Sequence, residues 1–139
     1  MLAACNDKEE AVKTDVAGDT NAEKTGMPIV KETLEVSAFA GKFYAEQDFN
    51  DLTLFNEYEK MTNIDVKWET VQHSVLSEKK NLKIASGDLP DFFMASSFTA
   101  TDLMKYGSQG IFIPLNPYLE EYAPNFSALL EKYPKFKQG

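Results

Sequence analysis

The feature that most constrains the fold is a repeated alternation between two hydrophobic patterns. Over 34–39 apolar and polar residues take turns, as expected of a strand with one buried face. A stretch at about 50–61 places apolar residues three apart, which predicts a helix. The pair of patterns recurs as a strand over 64–69 and a helix that ends at Ser86, where Gly87 suits the left-handed closing residue. The sequence therefore predicts successive strand–helix units.

The pattern continues with a third strand and a third helix. An almost uninterrupted apolar run over 91–95 predicts a strand that is buried on both faces, as in a parallel sheet. The pattern Thr99-x-x-Asp102 is typical of a capping box, and it predicts the start of a helix that runs to Tyr106. Both elements extend the strand–helix order by one more unit.

The last part of the chain predicts one short strand and two helices. We expect the strand over 111–113, where Pro114 stops it, and helices that begin at Asn116-Pro117 and at Pro124. The complete order is then β-α-β-α-β-α-β followed by two helices. Such alternation predicts an α/β fold, with a mostly parallel sheet, right-handed crossovers and helices on both faces.

Charge and motif content restrict the function. The chain of 139 residues has 14 Lys and Arg against 22 Asp and Glu, and its net charge is −8. Because phosphate binding requires a basic face, nucleic acid is not expected as a partner. The sequence has no Gly-x-Ser-x-Gly elbow and no phosphate-binding glycine loop, and His73 is its one histidine. We therefore expect a binding protein without cofactor or metal, and not an enzyme.

The beginning of the chain indicates attachment to a membrane. Cys5 is the one cysteine, and it follows the triplet Leu-Ala-Ala. This stretch resembles the lipobox of bacterial lipoproteins, in which the signal peptide is cleaved before a cysteine that then carries lipid. The alternative is an incidental cysteine in a cytoplasmic protein. The next residues are polar and contain no aromatic side chain, which predicts a flexible acidic tether. The predicted organisation is a lipobox remnant over 1–5, a tether over 6–32 and an α/β lobe over 33–139.

A family resemblance is carried by segments spread over the predicted lobe. Residues 84–93, with the order Ile-Ala-Ser-Gly-Asp-Leu-Pro-Asp-Phe-Phe, resemble a segment of the family 1 extracellular solute-binding proteins of ABC importers, which include the maltose binders. Residues 105–116 are similar to the stretch after the family's third strand, and 59–66 to its first helix and second strand. Residues 122–126 look like the lipoprotein members of Gram-positive bacteria. The resemblance covers about 33–139.

The resemblance implies a fold and a function. Members have two α/β lobes that are joined by crossing strands and close on a ligand by a hinge. This chain would then supply an incomplete N-terminal lobe of a type II periplasmic-binding-protein fold. The implied function is capture of a sugar or oligosaccharide outside the cell and its delivery to the permease subunits of an ABC transporter. A lipid on Cys5 would hold the protein on the extracellular face of the cell membrane.

In this family, ligand contacts come from loops at the strand ends, which we expect here after Phe39, Glu69 and Ala95. The candidate ligand-binding residues are Gly41, Lys42, Phe43, Tyr44, Glu69, Thr70, Ser96, Ser97 and Phe98. Hydroxyl groups and aromatic faces suit a carbohydrate, although the aromatic and charged pair of the maltose binders is absent after the third strand. Each group also has a structural interpretation, in which the aromatic side chains pack locally and Ser96 and Ser97 cap the next helix.

Two other functions are compatible with the strand–helix order. A flavodoxin-like or receiver-like cytoplasmic domain requires an acidic cluster or a phosphate loop after the first strand, where this chain has Ala40-Gly41-Lys42. A lipid-anchored carbohydrate-active enzyme would have its catalytic residues outside this sequence. The binding protein explains the lipobox, the strand ends and the family resemblance together, and we therefore rank it first.

Overall fold

The computed structural model describes residues 21–23, 25–43 and 47–138, without the side chains of residues 137 and 138. The predicted lipobox, most of the predicted tether, Cys5 and Tyr44 lie outside the described residues. The strands are β1 Leu34–Lys42, β2 Ile64–Gln72 and β3 Phe92–Met94. The helices are α1 Thr53–Thr62, α2 His73–Ser86, α3 Ala100–Ser108, α4 Asn116–Tyr122 and α5 Pro124–Lys132. Short segments of 3-10 helix lie at Phe49–Asp51 and Pro134–Gln138.

The strands form one parallel sheet in the order β2-β1-β3. The strand β1 pairs with β2 along its whole length, so that Lys42 lies opposite Gln72. The short strand β3 pairs with the second half of β1, where Met94 lies opposite Ala40. Because all three strands run in the same direction, their carboxyl ends meet at one edge of the sheet. The predicted parallel α/β architecture with a shared edge is confirmed.

One face of the sheet packs against α1 through aromatic side chains, and we call it the α1 face. Ala38 and Ala40 lie buried on this face beside Trp68. The rings of Phe49 and Phe55 lie 5.5 and 4.7 Å from the Trp68 ring, measured between centroids. Small side chains on β1 leave room for the indole and for the helix that covers it.

The opposite face packs against α2 and α3, and we call it the α2 face. Phe39 is fully buried there, 5.7 Å from the ring of Phe93. A chain of edge-to-face contacts continues from Phe93 to Phe98 at 5.2 Å and from Phe98 to Phe112 at 4.9 Å. Tyr106 of α3 closes this cluster at 5.8 Å from Phe112. The prediction of helices on both faces is therefore confirmed.

Helix ends follow the local signals of the sequence. Gly87 adopts φ 76° and closes α2 as predicted. At the start of α3 the Asp102 N–H donates to Thr99 Oγ1 at 3.1 Å, and the Thr99 N–H donates to Asp102 Oδ2 at 2.9 Å. Asn63 ends α1 at φ 59°, where its N–H donates to the carbonyl of Glu59. These caps satisfy backbone groups that would otherwise lack a partner.

Two strands are longer than predicted. β1 continues past Phe39 to Lys42, and β2 continues past Glu69 to Gln72. Gly41, Lys42, Glu69 and Thr70 therefore lie within paired strands and not in loops, which corrects the predicted strand ends. The reason is that pairing between the strands satisfies the backbone of Gly41, which alone is typical of a turn, and of the residues opposite it in β2.

Two predictions for apolar runs are wrong. Residues 111–113 form no strand, because the N–H groups of Ile111 and Phe112 donate to the carbonyl of Tyr106 at the end of α3. The strand β3 is not buried on both faces, because Phe92 is 37% exposed. Among the described strands, β3 is also an outer strand, which pairs with β1 on one side. Apolar content does not determine whether a partner lies beside a segment.

The end of the predicted tether packs against the lobe. Val30 is 3% exposed and forms an antiparallel bridge with Ala22. The N–H groups of Ile29 and Val30 donate to the carbonyl of Thr62 at 3.1 and 3.3 Å. The folded part therefore begins before residue 33, because one buried aliphatic side chain and bonds to the end of α1 hold this segment.

Candidate ligand-binding site

An exposed aromatic pair lies where β1 and β2 end. Because Lys42 and Gln72 are opposite each other, the residues that follow them, Phe43 and His73, are neighbours. Their ring centroids lie 4.6 Å apart with an interplanar angle of 43°, and Phe43 is 44% exposed. His73 was missing from the predicted site residues. No signal in the sequence identified it, because the predicted second strand ends at Glu69, and only the observed end at Gln72 puts His73 directly after the strand.

The loop after β3 has a strained backbone, and we call residues 95–98 the 95–98 loop. Ala95 and Ser97 adopt φ values of 50° and 52°. Such left-handed conformations are unfavourable for residues that carry a Cβ atom, and they cluster at functional sites. Ser96 lies between them and is 4% exposed; its Oγ donates to the carbonyls of Phe39 and Met94 at 3.3 and 3.0 Å. Of the two serines, Ser97 is the exposed one.

Gly41 allows the 95–98 loop to approach β1. A Cβ atom at this position would lie 2.7 Å from the carbonyl oxygen of Ala95 and 2.7 Å from Cδ2 of Leu76. Both distances are too short for non-bonded atoms, so a glycine is required by packing. Gly41 is itself buried within β1. Its role in this structure is to bring the loop and α2 close to the sheet.

Phe98 packs inside the α2-face cluster. Besides its contacts with Phe93 and Phe112, its ring lies 6.2 Å from that of Tyr106. The ammonium group of Lys80, on α2, lies 4.3 Å from the centre of the Phe98 ring and donates to the carbonyl of Ser97 at 3.0 Å. Lys80 is 6% exposed. It was missed by sequence analysis, because a lysine within a polar helix is typical of a solvated surface.

Glu69 and Thr70 lie within β2, and their side chains bond to residues of other segments. The carboxylate of Glu69 is 2.8 Å from Lys83 Nζ, and hydrogen bonds to Glu69 and then to Asp88 raise the pKa of Lys83. Thr70 projects toward the α1 side, where it hydrogen-bonds Asp48. The backbone N–H of Asn50 is the main cause that lowers the pKa of Asp48, and the Thr70 hydroxyl adds to it.

The structure thus divides the predicted residues into three groups. Lys42 and Phe43 lie at the carboxyl end of β1, where Phe43 contacts the newly identified His73, and Ser97 lies in the 95–98 loop after β3. The packing residues are Gly41, Ser96 and Phe98, whereas Glu69 and Thr70 lie within β2 and bond to Lys83 and Asp48. Within the described residues, no group of three or more side chains is suited to hold a metal ion.

None of the helices in the described part of the chain combines the length and the apolar character that crossing a bilayer requires.

The family is shown by comparison with known proteins. Residues 35–138 match the family described as bacterial extracellular solute-binding protein. The chain is also 32% identical over 138 residues to the fructooligosaccharide ABC transporter substrate-binding protein FusA of Streptococcus pneumoniae. That alignment covers 99% of this chain and 24% of FusA, so the chain spans about a quarter of the length of this relative.

Solved structures agree with this assignment. FusA in complex with kestose is similar with a TM-score of 0.69 and 28% identity, over 75% of this chain and 21% of the solved chain. A solute-binding protein of Bifidobacterium longum infantis, described as binding HMO, shares the fold with a TM-score of 0.62 at 19% identity, over 74% of this chain and 20% of that one. The chain belongs to the bacterial extracellular solute-binding protein family.

Proposed function

We propose that this chain is part of the N-terminal lobe of an extracellular receptor that captures an oligosaccharide and delivers it to an ABC permease. The observation that carries the proposal is the similarity to FusA, a fructooligosaccharide-binding protein, along 99% of the chain. The fold supports it independently, since three parallel strands end at one edge, the place where open α/β sheets bind ligands.

The carboxyl edge of the sheet offers chemistry that suits a sugar. A carbohydrate presents apolar ring faces and a rim of hydroxyl groups. The exposed ring of Phe43, backed by His73, provides a stacking surface. Lys42 and Ser97 lie at the same edge and carry groups that hydrogen-bond hydroxyls. Tyr44, which follows Phe43 in the sequence, is proposed with them.

The proposed mechanism is binding without covalent chemistry. Ligand that contacts two lobes favours the closed arrangement, and the permease recognises that shape. In this proposal, the described sheet provides one wall of the cleft and other parts of the natural protein provide the rest. Neither catalysis nor a cofactor is required for this function.

Attachment to the membrane through Cys5 is part of the proposal. The triplet Leu-Ala-Ala before Cys5 and the acidic stretch after it support a lipid anchor on the extracellular face. Two acyl chains hold a protein firmly at a bilayer, whereas one gives marginal binding. Expression in a Gram-positive host with a labelled fatty acid should label the protein and leave Cys5→Ala unlabelled. A soluble, unlabelled natural protein would contradict the anchor without affecting sugar binding.

Calorimetry of the natural full-length protein tests the sugar-binding function. We expect binding of at least one oligosaccharide from a panel of kestose, nystose, maltotriose and an alginate oligomer. Each mixture is then incubated and analysed by chromatography, and the sugar should be recovered unchanged. Cleavage of the sugar would favour the carbohydrate-active enzyme. Absence of binding across the panel, in a folded sample, would contradict the proposal.

A matched pair of variants locates the site. Phe43→Ala removes the proposed stacking surface and should weaken binding about tenfold. Phe126→Ala removes a ring of similar exposure, 48% against 44%, from α5. The second variant should keep the affinity of the natural protein. Equal effects of the two would place the sugar elsewhere.

A further inference from the structure

Lys80 is a buried cation that interacts electrostatically with the carboxylate of Asp102 but forms no direct ion pair with it. Its side chain leaves the middle of α2 and is 6% exposed. Among the described residues, no carboxylate lies within ion-pairing distance of its ammonium group. The contacts it makes are one hydrogen bond to the carbonyl of Ser97 and the ring of Phe98. Both contacts belong to the 95–98 loop.

The 95–98 loop has an unfavourable backbone conformation, which contacts with other parts of the protein must stabilise. Ala95 and Ser97 occupy left-handed conformations that neither side chain favours. The hydrogen bond from Lys80 ends on a main-chain oxygen inside this strained segment. It therefore favours the strained backbone over conformations that would turn the oxygen away. The contact with Phe98 holds the other end of the loop in the same arrangement.

We propose that Lys80 is a positioning residue, whose ammonium group holds the 95–98 loop in the conformation that presents Ser97 at the carboxyl edge. The inference rests on the proposed function, because it assigns the loop to the sugar site. Lys80 acts through Ser97 and Phe98 and does not itself contact the ligand.

Stability alone does not explain a lysine at this position. Removing an ammonium group from water is unfavourable, and apolar substitutes for buried charges are often neutral or stabilising. Lys80→Met keeps the aliphatic stem and removes the charge and the donor. A positioning role predicts that this variant binds sugar more weakly while it unfolds at the same or a higher temperature. A merely structural role predicts that both properties fall together.

The test uses four variants of the natural full-length protein, with kestose as the probe. Lys80→Met removes the contact, and Lys80→Arg keeps a cationic donor. Lys79→Met makes the same change of charge at the neighbouring, exposed position of α2. Phe55→Leu destabilises the opposite α1 face and serves as the control for lost stability. Calorimetry gives the dissociation constant, and thermal unfolding of the ligand-free protein gives its midpoint.

We expect Lys80→Met to raise the dissociation constant about tenfold without lowering the unfolding midpoint. Lys80→Arg should restore most of the affinity, and Lys79→Met should match the natural protein. Phe55→Leu should lower the midpoint and leave the affinity unchanged. The proposal is overturned if Lys80→Met binds as the natural protein does, or if its weaker binding is matched by Phe55→Leu at equal loss of stability.

Hydrogen exchange separates this proposal from the proposed function. The backbone amides of the 95–98 loop should exchange about tenfold faster in ligand-free Lys80→Met than in the natural protein. Unchanged exchange would show that Lys80 does not hold the loop, whatever the ligand. If the natural protein binds neither kestose nor another sugar of the panel while the loop loosens as expected, the sugar-binding function fails and the hold by Lys80 stands.

Discussion

The strands begin at one end of the sheet, which we call the amino edge, and finish at the carboxyl edge. Both edges have residues in the left-handed backbone conformation, but the residue types differ. At the amino edge, the left-handed position before β2 is occupied by Asn63, a residue type that tolerates this conformation. At the carboxyl edge, the left-handed positions after β3 are occupied by Ala95 and Ser97, which do not. The amino edge is therefore built for stability, whereas the carboxyl edge holds strain of the kind found at functional sites.

Hydrogen bonding also differs between the two edges. At the amino edge, the Asp91 carboxylate accepts from both the N–H and the Oγ of Ser37 at 2.7 Å. These exposed bonds connect β3 to β1 directly. At the carboxyl edge, Ser96 Oγ donates to the carbonyl of Phe39 in β1, and buried Lys80 of α2 adds a bond to the carbonyl of Ser97. Both edges therefore connect β3 to β1, and the carboxyl edge has an additional bond from a helix.

The largest expected effect comes from adding a side chain at Gly41, where the 95–98 loop lies close to β1. Gly41→Ala places a Cβ atom against the carbonyl oxygen of Ala95, which is main chain and cannot turn aside. We expect a loss of about 3 kcal/mol in the free energy of unfolding, measured by urea denaturation. Gly107→Ala is the control, because nothing lies within 4 Å of its added Cβ in α3. That control should be stabilising by about 0.5 kcal/mol. Equal stability of the two variants would contradict the close approach.

Substitution of Asn63 tests whether the residue type at this left-handed position contributes to the free energy of unfolding. Asn63→Ala loses the tolerance for φ 59° and the bond from Nδ2 to the carbonyl of Val30 at 3.0 Å. We expect a loss of about 2 kcal/mol in the free energy of unfolding. Asn63→Gly keeps the conformational freedom and loses the bond, so it should lose about 1 kcal/mol. If alanine is tolerated as well as glycine, the conformational part of this explanation is wrong.

Asp91 gives the amino edge a pH dependence. The Ser37 backbone N–H, and next the Ser37 hydroxyl, lower the pKa of Asp91 below its ordinary value of 3.8. A lowered pKa in the folded state stabilises the protein above the ordinary value, and the stabilisation disappears as pH falls through the folded-state pKa. Asp91→Asn should therefore be less stable than the natural protein at neutral pH, by about 1 kcal/mol or less. The difference should shrink from about pH 5 towards pH 2 in denaturation series. A difference that stays constant would show that this carboxylate's charge is not involved.

The smallest effect, and one of opposite sign, is expected at the carboxyl edge. Ala95→Gly relieves the strain at φ 50° and should stabilise the protein by about 0.5 kcal/mol. The more flexible loop should also bind sugar less tightly, since order in the free protein is lost. Thermal unfolding and calorimetry on one sample measure both quantities. A destabilised variant would show that the loop at Ala95 is not under strain, and the contrast between the edges would disappear.

Much of the architecture was predictable because the deciding information is local. Alternating and helical periodicities identified β1, β2 and α2, and Gly87 and Thr99 marked helix ends correctly. The order of these elements then restricted the sheet to parallel pairing with crossovers. Three of the predicted site residues, Lys42, Phe43 and Ser97, lie at the carboxyl edge for the same reason.

What the sequence by itself determined is the series of elements, their caps and the edge at which the strands finish. Only the tertiary structure decided how far β1 and β2 extend, that Phe112 joins an aromatic cluster instead of a strand, and that Lys80 is buried. The physical reason is the range of the interactions. Periodicity and capping depend on residues within a turn or two of each other, whereas strand pairing and the burial of a cation depend on partners that the fold brings from elsewhere in the chain.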